Sequence, residues 1–265
     1  MNTSISYTDV RAALQGSEPP LLIDVRRRPA FDSAADMASG ALRRDPEAVS
    51  AWAPTLPGAS RIVVYCVHGH EVSQNAAKAL RERGLDACYL EGGLEEGWKA
   101  GGGALDRKPA GASTRWVTRE RPKIDRIACP WLISRFVDPR AEFLYVPSAQ
   151  VRETAAAREA VPYDIPDTHF SHDGARCSFD AFLKHYRLAD PALQQLATIV
   201  RGADTGELDL APQAPGLLAI SLGLSRNFEN DLEMLEHGKV MYDALYAWCR
   251  QGQSETHTWN PAAYV

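Results

Sequence analysis

The stretch "VVYCVHGHEVS", residues 63–73, sets a single cysteine directly after a run of β-branched and aromatic residues and just before a glutamate and a helix-forming stretch. A thiol in that setting can be a nucleophile, a metal ligand or a small buried apolar group. Cys66 would stand where a strand gives way to a loop of Val67, His68, Gly69, His70, Glu71 and Val72. The amide N–H groups of such a loop can curl round the sulfur, and the positive end of the next helix adds to them. Both favour the thiolate, which is the reactive form. Cys66, His68 and His70 are all ligand types for zinc or copper, but alternate residues of a tight loop seldom converge on one ion, and no fourth ligand is evident. A phosphatase-type loop needs an arginine six residues after the cysteine, where this chain has Val72.

A second group of chemically capable residues lies later. Asp125, His169, His172 and Cys177 are metal-type side chains, and Asp204 and His237 could join them through the fold. Within that group Asp125, His172 and Asp204 are the expected ligands of a transition metal. Arg119, Arg121, Lys123 and Arg126 concentrate positive charge near Cys129, a pattern suited to an oxyanion or to a solvated basic face.

The elements that must position these residues can be read from apolar patterning. "LLIDV" at 21–25 and "RIVVYC" at 61–66 are short apolar runs of the kind found in buried parallel strands. "SQNAAKALRERG" at 73–84 predicts a helix with Ser73 as its cap. "ACYLEGG" predicts a third strand and "LEEGWKAG" a short helix. Strand, loop, helix and strand at these intervals describe an α/β domain with a parallel sheet, whose sites lie beyond the carboxyl ends of its strands. Cys88, mid-strand, is expected in the core. Three consecutive glycines open "GGGALDRKPAGAST", a stretch expected to hold neither helix nor strand. The resulting division is a domain over 1–103, a linker over 104–114 and a second domain over 115–265. That second domain is expected to be mainly α with a few strands: helices near 129–137, 190–204, 214–227 and 229–251, and a strand at "AEFLYV". In the last helix Leu232, Leu235, Val240, Tyr242, Leu245 and Trp248 are expected on one core-facing side.

Composition excludes several classes. The 265 residues are 45% hydrophobic and 24% charged, as in globular proteins. A net charge of −5 gives no basic footprint, so nucleic acid is an unlikely partner. No apolar run approaches the roughly 18 residues of a membrane span, and the first residues do not have the pattern of a secretory signal. Five scattered cysteines fit reduced thiols better than a disulfide scaffold, and a cytoplasmic location is expected.

Taken together, "LLIDVR", "VVYCVHGHEVSQNAAKALRERG" and "YLEGGLEEGW" resemble the rhodanese domain. They supply, in the family's order, Asp24-Val25-Arg26 at the end of the first strand, a loop opening on Cys66 with Gly69 three residues on, and Gly92-Gly93 followed by Trp98. The resemblance implies a sulfurtransferase in which Cys66 takes a sulfane sulfur from a thiosulfate or persulfide donor and passes it to a thiol acceptor. Asp24 and Arg26 would be its structural support, and no cofactor would be required. The departures are Val67 and Glu71, where the family's loop carries arginines, and "MASGALRR" at 37–44, whose Arg43 and Arg44 are alternative cations for the pocket. A carboxylate about 6 Å from the sulfur opposes an anion by about 3 kcal/mol at an effective dielectric of about 20, which solvent reduces. Thiosulfate, a dianion, is therefore expected to be a poor donor unless His68 and His70 are protonated; the plainer reading of Glu71 is a side chain that faces solvent or caps the following helix.

The second segment is similar to the C-terminal domain of the chromate resistance family. "RERPKIDRIACPWLISRFVDP", "FSHDGARCSFD" and "GLLAISLGL" followed by "YDALYAW" carry that similarity. It implies a role in chromate response, with chromate itself a possible ligand. Against the enzyme stands a second reading, a non-catalytic sensor that binds chromate or a metal and uses Cys66 as an oxidisable thiol.

Overall fold

A strand flanked by helices on both faces has no wet side, so its residues need not alternate. The computed structural model describes residues 3–16, 18–56, 61–107 and 114–254, and in it Leu21–Asp24 and Ile62–Tyr65 are such strands, buried at every position. The first domain runs β1 (Ser4–Ile5), α1 (Tyr7–Ala13), β2 (Leu21–Asp24), α2 (Arg28–Ser33), β3 (Asp36–Ala38), β4 (Leu42–Arg43), α3 (Val49–Trp52), β5 (Ile62–Tyr65), α4 (Glu71–Arg81), β6 (Ala87–Leu90), a π-helical turn at Gly93–Lys99, and β7 (Leu105–Arg107). Its five-stranded sheet is parallel throughout, in the order β1-β6-β5-β2-β4, which puts β5 at the centre.

The second part is mostly helical around a small parallel sheet. It comprises β8 (Arg115–Arg119), α5 (Asp125–Leu132), a wider turn at Ile133–Val137, β9 (Glu142–Val146), α6 (Val151–Arg158), β10 (Val161–Pro162), α7 (Ser178–Tyr186), α8 (Pro191–Thr205), α9 (Ala214–Asn227) and α10 (Asp231–Ala247). Strand order is β10-β8-β9. Trp131 of α5 anchors the helices. It lies 5.7 Å from Phe136, 6.0 Å from Tyr242 and 5.5 Å from Tyr246, ring centre to ring centre, and its indole N–H donates to Asp243 at 2.8 Å. No helix among the described residues is long and apolar enough to cross a membrane.

Three expectations need correction. The linker begins later than 104, because Leu105–Arg107 pairs antiparallel with Asp36–Ala38; the glycines before it supply a turn, after which the chain can extend. Residues 108–113 lie outside the described residues. Ser73 does not cap α4, which starts two residues earlier with His70 at the cap position. In α10, Leu235 and Tyr242 are buried, but Leu232 and Val240 are 51% and 66% exposed. The core-facing stripe is therefore narrower than periodicity implies.

The two parts share one apolar cluster that includes Leu21, Ile23 and Trp52 together with Trp131 and Phe182. Polar ties reinforce it. Arg44 is buried and donates to the carbonyls of Phe136 (2.5 Å) and Val137 (3.0 Å). Those carbonyls end the helical run that starts at α5, where backbone acceptors lack partners of their own. Burial draws the Arg44 guanidinium down to about 10. On the opposite flank Asp106 of β7 accepts from the Gly40 N–H at 2.8 Å and pairs with His185 of α7 at 3.0 Å. Gly40 has φ +70°, and a Cβ there would lie 2.2 Å from the His185 carbonyl, so glycine is what lets the parts approach.

Burial opposes the Asp106 charge, yet the bonds from His185 and Gly40 outweigh it and hold the carboxyl at about 2. A carboxyl depressed on folding adds stability above its unfolded value near 4, and that stability is lost as pH falls from there toward 2. Asp106 is partly exposed, so solvent screening limits the effect to about 1 kcal/mol. Asp106→Asn is expected to cost about that much at pH 6 and almost nothing at pH 2. Urea midpoints of both proteins at the two pH values check this; equal differences at both would refute it.

Candidate functional site

Cys66 follows β5 directly, at the carboxyl end of the central strand, and is 6% exposed. Its sulfur lies 3.2 Å from the Ser73 hydroxyl and 4.0 Å from the His70 carbonyl. Those are the recorded partners of Sγ, in place of the ring of loop amides expected around it. Ser73, one turn into α4, also reaches the His70 carbonyl at 3.1 Å. A single hydroxyl proton cannot serve both bonds. Ser73 therefore either donates to the carbonyl and accepts from the thiol, or turns its proton onto a thiolate.

The Gly-Gly turn fixes this loop from behind. Leu94 N–H donates to the Cys66 carbonyl at 2.9 Å and Glu95 N–H to the Val67 carbonyl at 3.0 Å. Gly69 and Gly93 both have positive φ and meet backbone to backbone: a Cβ on Gly93 would lie 2.4 Å from the Gly69 nitrogen. Glycine at both positions follows from that approach.

Among the other loop residues, Gly69 is buried and Val67 and Val72 are half-buried, whereas His68, His70 and Glu71 are exposed. Glu71 opens α4, where a carboxylate suits the helix dipole. His68 is engaged by Glu96 at 2.9 Å, and that hydrogen bond lowers the Glu96 carboxyl. Neither arginine of "MASGALRR" is a free cation for the loop. Arg43 donates to the carbonyls of Asp24 (3.0 Å) and Arg26 (2.6 Å) and stacks 4.6 Å over Phe31, while Arg44 holds the second domain as described. Both line a cleft of about 500 Å³ between the domains, whose lining does not include Cys66.

Asp24 and Arg26 form a fully buried, multiply bonded ion pair, with Nη2 2.6 Å from Oδ2 and Nε 3.0 Å from Oδ1. Tyr65, the residue before Cys66, donates its hydroxyl to the same carboxylate at 3.1 Å. Burial pushes that phenol far up, with the Asp24 charge adding to it, so the donor keeps its proton. The pair thus ties the ends of β2 and β5 together beside the cysteine.

A separate cluster occupies the second domain. His172 Nε2 lies 3.1 Å from Asp204, 3.5 Å from Asp125 and 3.5 Å from Asp164. The structure thus brings together the three residues chosen from the sequence and adds Asp164. Hydrogen bonds to Asp125 and Asp164 push the His172 imidazole up to about 10. Burial raises Asp125, and it takes Asp204 up to about 7 with help from the Asp125 and Asp164 charges. The remaining candidates lie apart. His169 bonds His185 at 2.8 Å, Cys177 is buried at the cap of α7, and His237 stacks on Phe228 at 4.5 Å. His169 and His172 diverge because their segment is a loop, not a helix.

Of the basic group near Cys129, the three arginines are engaged within the protein and Lys123 is exposed. Arg119 and Arg126 converge on Asp164, at 3.0 and 3.3 Å. Arg121 donates to the Phe228 carbonyl beyond α9 at 2.8 Å. Cys129 is wholly buried, and burial pushes its thiol far up.

Comparison with known proteins assigns both parts. Residues 6–100 match the rhodanese-like domain model, and residues 116–249, half of the chain, match that of the ChrB C-terminal domain. Protein ChrB of Cupriavidus metallidurans is 34% identical over 133 residues, which is 50% of this chain and 40% of that protein. The chain therefore spans well under half the length of that curated relative. Among solved structures, a rhodanese-related protein of Thermoplasma volcanium is 20% identical (40% of this chain, 100% of that one, TM-score 0.35). A Lactobacillus plantarum protein is 28% identical (40% and 88%, TM-score 0.36), and the rhodanese-like domain of an Anabaena protein 29% (42% and 88%, TM-score 0.35).

Proposed function

The chain belongs to the ChrB C-terminal domain family, with a rhodanese-like domain ahead of it, and on that premise we propose that Cys66 is a persulfide carrier serving chromate response. The observation that supports the reading is the sulfur's seat: beyond the central strand, before a helix, 3.2 Å from the Ser73 hydroxyl. The Cys66 thiolate attacks the outer sulfur of a donor persulfide, the donor's S–S bond breaks, and the donor thiolate leaves with the electron pair. An acceptor thiolate then attacks the outer sulfur on Cys66 and regenerates the Cys66 thiolate. The Ser73 hydroxyl, turned from the His70 carbonyl onto the sulfur, supplies the hydrogen bond that stabilises the anion, with the positive end of α4 behind it. Glu71 on the exposed helix start and Glu96 on His68 favour a persulfide of a small thiol over dianionic thiosulfate.

Intact mass tests the reading. Incubation with a low-molecular-weight persulfide should add one sulfur to the wild type, reversible by a thiol reductant, and add none to Cys66→Ala. Reversibility separates persulfide from sulfinate, which adds nearly the same mass but is not reduced by thiols. Ser73→Ala should load about 10- to 100-fold more slowly, the loss of one hydrogen bond to a charged sulfur. A wild type that stays unmodified with persulfide and thiosulfate alike would overturn the proposal. Its partner, the sensor reading, would then remain, and chromate titration of Cys66→Ala measures it.

A further inference from the structure

The sulfur chemistry leaves unused a cluster in the second domain whose side chains come from separate stretches of chain: Asp125 at the start of α5, Asp164 after β10, His172 in the loop before α7, and Asp204 near the end of α8. We propose that Asp125, Asp164, His172 and Asp204 bind one divalent transition-metal ion of the oxygen-preferring kind, such as Mn²⁺.

Spacing supports this first. Donor atoms held about 2.1 Å from one ion sit about 3.0 Å apart as octahedral neighbours and about 3.4 Å apart as tetrahedral ones. The three carboxylates lie 3.1 to 3.5 Å from His172 Nε2. Ligand atoms of Asp125, Asp164 and His172 all fall within 4.8 Å of one another, and Asp204 joins that core from the His172 side, 3.1 Å from Nε2.

Satisfaction of the buried groups is a second, independent observation. Asp125 is 1% exposed, and its Oδ1 has no hydrogen-bond partner. Buried carboxylate oxygens without partners are costly and call for an explanation. The one proton on His172 Nε2 cannot serve three carboxylates, whereas a cation draws on several at once.

The surroundings orient the donors as an outer shell would. Ser178 N–H fixes Asp125 Oδ2 at 2.6 Å and the Ser178 hydroxyl fixes Asp164 Oδ1 at 2.9 Å. Arg119 and Arg126 hold the other Asp164 oxygen, which leaves Oδ1 turned toward His172. Three carboxylates and one imidazole, with no thiolate, suit Mn²⁺ or Fe²⁺ above Cu⁺. His172 is 42% exposed, so one side of the cluster is open to water and to exchange.

The test uses the full chain, stripped by chelator and titrated with Mn²⁺, with free Mn²⁺ followed by its paramagnetic resonance signal. Mn²⁺ also keeps the assay separate from Cys66, because thiolates prefer softer ions. One ion per chain is expected, in Cys66→Ala as in the wild type. His172→Ala, a change at a part-exposed side chain, should weaken binding at least tenfold, and His237→Ala, outside the cluster, should leave it unchanged. Circular dichroism verifies that the variants fold. Wild type with no binding tighter than about 1 mM, or His172→Ala binding as tightly as wild type, would overturn the assignment.

Discussion

Asp24→Ala should destabilise the protein by about 3–5 kcal/mol, the range seen when one partner of a buried ion pair is removed. Asp24 is fully buried and Arg26 is 2% exposed. Without the carboxylate, the Arg26 guanidinium keeps its bond to the Asp36 carbonyl at 3.0 Å, but its charge has lost its counter-ion. The Tyr65 hydroxyl loses its acceptor and the Arg26 N–H loses a 3.0 Å bond. At roughly 2–4 °C per kcal/mol for a chain of this size, melting should fall by about 10 °C. Changing both residues, as Asp24→Ala with Arg26→Met, should cost less than Asp24→Ala alone, because no unpaired charge stays buried. Calorimetry on the three proteins decides it. A single variant within about 1 kcal/mol of wild type would mean that the pair does not hold the end of β2. Should the prediction hold, sulfur loading ought to fall too, since β2 is bonded to the strand that ends at Cys66.

Much of this first domain could be read from residues alone, because its signals are local. Continuous apolar runs mark buried parallel strands, and a cysteine after such a run marks a strand end. Gly93 of "YLEGGLEEGW" is explained by one contact, its backbone approach to Gly69. What escaped is what depends on geometry across the chain. Ser73 reads as a helix cap, and only the actual start of α4 at Glu71 turns it toward the sulfur. Leu105–Arg107 follows a glycine run, which describes the turn but not the strand beyond it.

The cluster in the second domain shows the same boundary. Asp125, His172 and Asp204 could be chosen as a set because each stands near a predicted helix end or in the histidine-bearing loop. Asp164 could not, since it stands in a bend after a two-residue strand that no apolar pattern announces. Its place follows from β10, which pairs Val161 and Pro162 with β8 and so carries the next residues to Arg119 and His172. Two of the arginines that suggested an oxyanion site are explained by the same residue: Arg119 and Arg126 orient Asp164.

Asp204→Asn should make the metal-free protein more stable while impairing metal binding, two effects of opposite sign from one atom exchange. Asp204 is 16% exposed, and burial, then the Asp125 and Asp164 charges, take its carboxyl up to about 7. A carboxyl raised on folding opposes the folded state above its unfolded value near 4, and the opposition is complete above about 7. Asparagine keeps the shape and can still accept the Asp125 N–H, now 3.4 Å from Oδ1, but carries no charge. At pH 8 in chelator the variant should gain about 1–3 kcal/mol, or about 5 °C in melting temperature. In excess Mn²⁺ the order should reverse, because the wild type is stabilised by its ligand and the variant binds at least tenfold more weakly. Melting curves with and without Mn²⁺ read both effects together. A variant less stable than wild type in chelator would assign Asp204 to holding His172, and repulsion among these carboxylates would not be the cost that a cation relieves.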